Sequence, residues 1–167
     1  MRRGLAPWLA ALVWVLAGSA TADTLHGVVI VVIDGDTVLF RPDHVDPAGR
    51  AFLKLRLADV DAPERDQPFG DAATRALEAR VLKRHVEVET VATDVYGRTI
   101  ARLCRDGRAV ETELVRRGLA WATARSRRGA ALRTVQREAR TARRGLWQDA
   151  APVPPWVWRR ARAKDND

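Results

Sequence analysis

Four segments of this chain are either rich in Val and Ile or alternate between apolar and polar residues, and these strand patterns constrain the fold more than any other feature of the sequence. The Val- and Ile-rich or alternating segments are 26–40, 52–60, 86–91 and 99–104. Asp34-Gly35-Asp36 interrupts the first segment with a string typical of a tight turn or bulge, so that segment predicts two strands. A period of two places successive side chains on opposite faces of a sheet. The chain is therefore predicted to contain five β-strands.

Between the third and fourth predicted strands, apolar residues recur at every fourth position. There Ala73, Leu77 and Val81 mark one face of a helix predicted over residues 71–84. Further helices are predicted near residues 110–117 and 132–142. Five strands with a helix between the third and fourth fit a five-stranded Greek-key barrel of the oligonucleotide-binding (OB) type, a β-barrel with about three α-helices in the α+β class.

The N-terminal segment predicts export. Arg2 and Arg3 precede an uncharged run over residues 5–18, and Ala20-Thr21-Ala22 supplies the small residues of a signal-peptidase site. The alternative is a membrane anchor, but the run is shorter than the roughly 20 apolar residues of a span. We expect cleavage after Ala22 and a periplasmic or secreted product.

Three segments follow from this boundary. They are a signal peptide over 1–22, a barrel domain over 23–150 and a tail with prolines and tryptophans over 151–167. The chain is expected to be a monomer, with no membrane association once the signal is removed.

Charge and composition narrow the function. The 29 Lys and Arg residues exceed the 21 Asp and Glu residues and give a net charge of +8, which attracts nucleic acid, anionic membrane surfaces or polysaccharide. A single cysteine, Cys104, excludes an internal disulfide and a cysteine-rich zinc site. Neither of the two serines lies in a Gly-x-Ser-x-Gly turn, which argues against a serine hydrolase.

Two acidic clusters end predicted strands. The first is Asp34-Gly35-Asp36-Thr37 and the second is Asp59-Val60-Asp61-Ala62-Pro63-Glu64. Without a His or Cys cluster, a metal bound here would take oxygen ligands alone, which favours Ca²⁺ or Mg²⁺. Each cluster taken alone is equally compatible with a simple turn and solvated loop charges.

Two arginines point toward phosphate chemistry. Arg56 lies inside an otherwise apolar strand, and Arg98 begins a strand directly after Tyr96-Gly97. Strand arginines are commonly surface residues, but guanidinium groups also bind phosphate oxygens in a bidentate manner. Carboxylates, a hard cation and two arginines together could hydrolyse a phosphodiester, with the cations neutralising transition-state charge and a carboxylate accepting a proton from water.

Five strings occur in the order found in one known family. They are Ile33-Asp34-Gly35-Asp36-Thr37, Leu55-Arg56-Leu57 with Val60-Asp61-Ala62-Pro63-Glu64, Asp94-Val95-Tyr96-Gly97-Arg98, Leu114-Val115-Arg116-Arg117-Gly118-Leu119-Ala120, and Arg144-Gly145-Leu146-Trp147. Over about residues 28–148 the sequence resembles the staphylococcal (micrococcal) nuclease family, the thermonucleases. The resemblance implies an OB-fold barrel and a Ca²⁺-dependent endonuclease that acts on DNA and RNA and leaves 3′-phosphate ends.

The resemblance also implies a metal site. Asp36 and Asp61 match the family's carboxylate ligands for Ca²⁺, and the backbone carbonyl of Ala62 takes the place of a threonine carbonyl. Asp34 matches a nearby acid that is expected to support the site without binding the ion.

Catalytic roles follow from the same match. Glu64 matches the general base, Arg56 and Arg98 match the residues that bind the scissile phosphate, and Tyr96 is placed to contact a terminal phosphate. Val95 replaces a family lysine, and residues 121–126 lack the two tyrosines that lie near the nucleotide base. An alternative is a non-catalytic OB-fold protein that binds single-stranded nucleic acid.

Overall fold

The computed structural model describes residues 24–45, 49–123 and 127–165, so the predicted signal peptide lies outside the described residues. The strands are β1 (Thr24–Val32), β2 (Thr37–Pro42), β3 (Leu53–Leu57), β4 (Val60–Asp61), β5 (His85–Thr93), β6 (Thr99–Arg105), β7 (Arg108–Ala109) and β8 (Trp121–Ala122). The helices are α1 (Gly70–Val81), α2 (Val110–Arg116), α3 (Arg127–Thr141) and α4 (Pro155–Asp165), with a 3₁₀ turn at Gly145–Gln148.

Five strands close into a barrel. Antiparallel pairs join β1 to β2, β1 to β5, β2 to β3 and β5 to β6. A parallel pair closes the ring, in which Leu55–Leu57 of β3 lies beside Thr99–Ala101 of β6. Helix α1 lies in the sequence between β3 and β5, the third and fourth strands of the barrel, so the predicted five-stranded barrel with helices is confirmed.

The barrel interior is filled by the alternating residues of its strands. Val29, Val38, Phe40, Leu55 and Leu103 are essentially inaccessible to solvent. The apolar face of α1 covers one end of this core with its own buried residues, Ala73, Leu77 and Val81. Within the described ranges, none of the helices has the length and apolar character that a membrane span requires.

Helix α4 differs from the sequence prediction, in which the C-terminal tail had no element and the fold about three helices. The structure places a fourth helix at Pro155–Asp165. Proline is favourable at the first position of a helix because the backbone N–H that it lacks would have no hydrogen-bond partner within the helix there. The run of prolines therefore starts this helix rather than preventing one.

The helix is attached to the rest of the chain through side chains. Gln67 donates its amide N–H to the carbonyl of Val153 at 2.6 Å, just before the helix begins. The ring of Trp156 lies 5.6 Å from that of Trp121 in an edge-to-face arrangement. These contacts hold the C-terminal segment across the end of the barrel that carries α1.

Gly118, which follows α2, and Gly145, which follows α3, lie in close contact. Gly118 has φ +69°, and a Cβ there would lie 2.1 Å from the carbonyl oxygen of Arg144. The carbonyl of Gly118 accepts the N–H of Leu146 at 2.9 Å, so the close approach fixes the position of the following turn.

We expect Gly118→Ala to lower the free energy of unfolding by about 2–4 kcal/mol, because backbone strain adds to a backbone clash. Gly107→Ala is the matched control, since Gly107 has φ +68° and a Cβ there would meet nothing within 4 Å. The control should lose only about 1–2 kcal/mol from the left-handed conformation. Urea unfolding followed by tryptophan fluorescence measures both, and equal losses would contradict the role given to the close approach.

Glu111 of α2 is a buried acid that belongs to neither acidic string of the sequence. Its carboxylate accepts the backbone N–H of Leu103 at 2.7 Å, and only 4% of the residue is exposed. Burial raises its pKa to about 7, against smaller opposing contributions that include the Leu103 hydrogen bond and the charge of Arg102.

The raised pKa makes stability depend on pH. The folded protein binds a proton at Glu111 that the unfolded chain has already lost, so stability should fall as pH rises from about 4.5 to about 7. The loss from this group is about 3 kcal/mol. Glu111→Gln should flatten this part of the profile in urea unfolding at a series of pH values. An unchanged slope in the glutamine variant would contradict the assignment.

Candidate active site

One cleft of about 680 Å³ gathers the residues that the sequence singled out. Its lining includes seven of the eight predicted site residues: Asp34, Asp36, Arg56, Ala62, Glu64, Tyr96 and Arg98. The eighth, Asp61, is 4% exposed and contacts two arginines of the lining. Lys54 and Arg159 also line the cleft and were not predicted from the sequence.

The turn between β1 and β2 positions Asp36. The side chain of Asp34 accepts the backbone N–H of Asp36 at 3.0 Å, and Asp36 accepts the Thr37 hydroxyl at 3.1 Å. A Cβ at Gly35 would lie 2.7 Å from the Cβ of Ala62, so glycine allows the turn to pack against the second acidic string. The sequence signal, an acid–glycine–acid turn at a strand end, therefore corresponds to a fixed local structure.

A direct hydrogen bond joins the two acidic strings. The backbone N–H of Ala62 donates to Oδ2 of Asp36 at 2.8 Å. The residues are 26 positions apart in the sequence. Asp36 is buried, and burial raises its pKa to about 6, while the charge of Arg56 acts in the opposite direction.

Arg56 is the cation shared by both buried carboxylates. Its position in β3 opposite Thr37 places it beside the first acidic turn. Nη1 lies 2.5 Å from Oδ2 of Asp36, and Nη2 donates to Oδ1 of Asp61 at 2.9 Å. The side chain is only 17% exposed, so these ion pairs form in a partly desolvated setting where charge interactions are strong.

Glu64 lies at the open side of the cleft on a short loop. Its backbone N–H donates to Gln67, and its backbone carbonyl accepts the N–H of Gln67 at 2.9 Å. A Cβ at Gly70 would fall 1.8 Å from the carbonyl oxygen of Glu64, so the loop folds tightly onto the start of α1. The Glu64 side chain remains 36% exposed and can meet solvent.

Arg98 and Tyr96 form the opposite rim. Asp94 accepts the backbone N–H groups of Tyr96 and Arg98 at 2.9 Å each and the Nε–H of Arg98 at 2.7 Å. The Arg98 guanidinium carbon lies 5.5 Å from the centre of the Tyr96 ring. Tyr96 is 81% exposed, so its ring is available at the mouth of the cleft.

Arg159 comes from α4 and enters the cleft from the C-terminal side. Its two terminal nitrogens contact both oxygens of Asp61, at 2.8 Å and 3.2 Å, and one of them contacts Glu64 at 2.6 Å. The hydrogen bond with Asp61 raises the pKa of Arg159 further above its usual value. No local string in the sequence indicates this contact, because it spans 98 residues.

The donor chemistry of the cleft fits a hard cation. Asp36 and Asp61 are oxygen donors that converge on one positive charge, as Ca²⁺ or Mg²⁺ would require. Among the described residues, however, no set of three or more His, Cys, Asp or Glu side chains is arranged to hold a metal ion. Arg56 and Arg159 are the cations that contact these carboxylates in this structure.

The closed barrel thus carries carboxylates and arginines together in one cleft. Residues 54–149 match the model of the staphylococcal nuclease homologue family. The chain belongs to the staphylococcal nuclease family.

Several relatives agree with this assignment. An Escherichia coli O157:H7 protein named "Uncharacterized endonuclease" is 33% identical over 139 residues, which cover 83% of this chain and 87% of that protein. A Shigella flexneri protein named "Micrococcal nuclease" is 37% identical over 91 residues, or 54% of this chain and 48% of that protein. A Haemophilus influenzae "Uncharacterized endonuclease" is 32% identical over 132 residues, or 79% of this chain and 71% of that protein.

Proposed function

We propose that the protein is an exported, Ca²⁺-dependent endonuclease that hydrolyses phosphodiester bonds of DNA and RNA and leaves 3′-phosphate ends. The observation that carries the proposal is the single cleft in which Asp36, Arg56, Glu64 and Arg98 meet, with Asp61 hydrogen-bonded to Arg56. A protein that only binds nucleic acid has no need of buried carboxylates in its groove. The family relationship supports the same activity.

The carboxylates of Asp36 and Asp61 and the carbonyl of Ala62 would hold the ion. When bound, Ca²⁺ supplies positive charge beside the scissile phosphate and lowers the cost of the extra negative charge in the transition state. Asp34 supports this site by holding the N–H of Asp36, which keeps the turn in place.

The arginines bind the phosphate. Arg56 projects from the rigid barrel wall, and Asp94 fixes the orientation of Arg98 through its Nε–H. A guanidinium group held in one orientation donates parallel hydrogen bonds to two phosphate oxygens. Together they place the phosphorus near Glu64 and stabilise the charge that grows on its oxygens.

Glu64 accepts the proton of the attacking water. Its side chain is partly exposed and lines the same cleft as both arginines, so water reaches it. Tyr96, exposed at the rim, contacts a phosphate at the end of the bound segment. Attack at phosphorus then breaks the bond to the 5′-oxygen, which takes up a proton from solvent, and the phosphate remains on the 3′-oxygen.

A cleavage assay on purified residues 23–167 tests the proposal. End-labelled single-stranded DNA is incubated with Ca²⁺, with Mg²⁺ or with chelator, and the product ends are mapped. We expect cleavage with Ca²⁺ that stops with chelator and leaves 3′-phosphates. Binding without cleavage under every condition would favour the non-catalytic single-strand-binding alternative.

Location is part of the same proposal. The charged start, the apolar run and the small residues before position 23 would direct the chain out of the cytoplasm. The exported product is proposed to be a monomer. N-terminal sequencing of the protein recovered from the periplasm or medium tests the export, and an intact Met1 in a membrane fraction would contradict it.

A further inference from the structure

The C-terminal helix places a positive charge on the carboxylates that the proposed reaction needs. Arg159 contacts both oxygens of Asp61 and one oxygen of Glu64. Asp61 also accepts a hydrogen bond from Arg56 at 2.9 Å, so two guanidinium groups occupy its carboxylate. A divalent ion binds carboxylate oxygens at about 2.3–2.6 Å and replaces other cations on the lone pairs it uses.

Weak contacts attach α4 to the rest of the protein, so its attachment is reversible. Asp66 accepts the indole N–H of Trp158 at 3.4 Å and pairs with Arg162. Trp156 contacts Trp121 yet remains 38% exposed. Apart from the Arg159 pair with buried Asp61, these contacts of the helix are exposed ion pairs and a partly exposed ring, which stabilise only weakly, whereas the barrel core is fully buried. The helix can therefore leave the cleft without unfolding the barrel.

We propose that Arg159 is a built-in competitor of the divalent ion: it neutralises Asp61 and Glu64 in the ion-free protein, and ion binding displaces it together with α4. The identity of the ion-binding and catalytic carboxylates rests on the proposed function. The consequence is a self-restrained enzyme. At low Ca²⁺ the general base is paired with an arginine, and at high Ca²⁺ the cleft opens to substrate.

The geometry favours competition over a role in substrate binding. Arg159 contacts the proposed ion ligand Asp61 and the proposed base Glu64 from a helix outside the barrel, whereas Arg56, which also contacts Asp61, projects from a barrel strand. Arg159 also lines the cleft in which the phosphate is proposed to bind. For both reasons, Arg159 must leave the cleft before the ion and the substrate bind.

The test measures Ca²⁺ binding to the full chain by calorimetry in wild type, Arg159→Ala and Arg160→Ala. Arg160 is the matched control, because it lies one position along the same helix and donates to the carbonyl of Trp156. If Arg159 occupies the carboxylates in about nine-tenths of molecules, its removal should tighten the apparent Kd about tenfold. Arg160→Ala should leave the Kd unchanged.

Two further measurements separate competition from a local structural effect. Asp66→Ala, which loosens α4 and leaves Arg159 in place, should tighten Ca²⁺ binding by a smaller factor. In wild type, Ca²⁺ should accelerate amide hydrogen exchange over residues 155–164, because displaced helices lose protection. Slower exchange there on adding Ca²⁺ would overturn the proposal.

Activity then distinguishes this inference from the proposed function. Arg159→Ala should cleave faster than wild type at low Ca²⁺ and equally at saturating Ca²⁺. A tighter Kd without cleavage by either protein would support the competition and contradict the nuclease assignment. Cleavage by wild type with an unchanged Kd in Arg159→Ala, slower cleavage by that variant at saturating Ca²⁺, or no Ca²⁺ binding by any variant would overturn the competition.

Discussion

Arg56→Met is expected to abolish detectable cleavage and, in ion-free buffer at neutral pH, to lower the free energy of unfolding by about 3–5 kcal/mol. The side chains of Arg56, Asp36 and Asp61 are 17%, 9% and 6% exposed, so removal of the arginine takes the Arg56 counter-charge from the buried Asp36 and leaves Asp61 paired with Arg159. Loss of one preorganised phosphate ligand alone costs about 10²–10³ in rate. Urea unfolding and the end-labelled DNA assay measure the two effects separately.

The stability cost should shrink on acidification. The pKa of Asp36 is about 6, and removal of the neighbouring positive charge raises it further. Below that pH the carboxyl is neutral in the folded variant and needs no counter-ion, so the variant approaches wild type. Arg41→Met, at an exposed position of β2, should stay within about 0.5 kcal/mol at every pH. A cost for Arg56→Met that is independent of pH would contradict this account.

Glu64→Gln is expected to lower the cleavage rate about 10²–10⁴-fold, because an amide cannot accept the proton of the attacking water. The side chains of Glu64 and its partner Arg159 are 36% and 45% exposed, so loss of their ion pair should change stability by no more than about 1 kcal/mol. The pair of assays used for Arg56 applies here also.

A matched control isolates the chemical role. Glu138→Gln, on the exposed face of α3, removes the same charge away from the cleft and should leave both the rate and the stability unchanged. Near-normal cleavage by Glu64→Gln would assign the proton to another group. A folded but inactive protein that still binds DNA would fit the proposed role.

The strands and the first helix could be predicted because their signals are local. Val- and Ile-rich or alternating segments place β1 to β3 and β5 to β6, and the Ala73–Leu77–Val81 spacing predicts α1. The turn at Asp34-Gly35-Asp36 is also local in part, since its bonds from Asp34 to the Asp36 N–H and from Thr37 to Asp36 lie within the acidic string. Short-range patterns thus define most of the barrel and one half of the cleft.

Contacts between distant parts of the chain could not be predicted in the same way. Two aspartates of the second acidic string have different partners. Asp61 contacts Arg56, whereas Asp59 pairs with Arg102 of β6 at 2.9 Å. Arg159 lies 98 residues from Asp61, and its helix has little apolar character to mark a packed face. Tertiary packing, not local propensity, decides such contacts.

The parallel pairing of β3 with β6 also determines the stage of folding at which the cleft forms. Leu57 of β3 must find Ala101 of β6, so a long loop has to close before the ring is complete. Such non-local strand pairing is slow compared with formation of hairpins and helices. Arg56, which faces Ile100 across this seam, receives its final surroundings only at that step. The proposed phosphate site is therefore completed late in folding, and a partly synthesised chain carries the acidic turn without it.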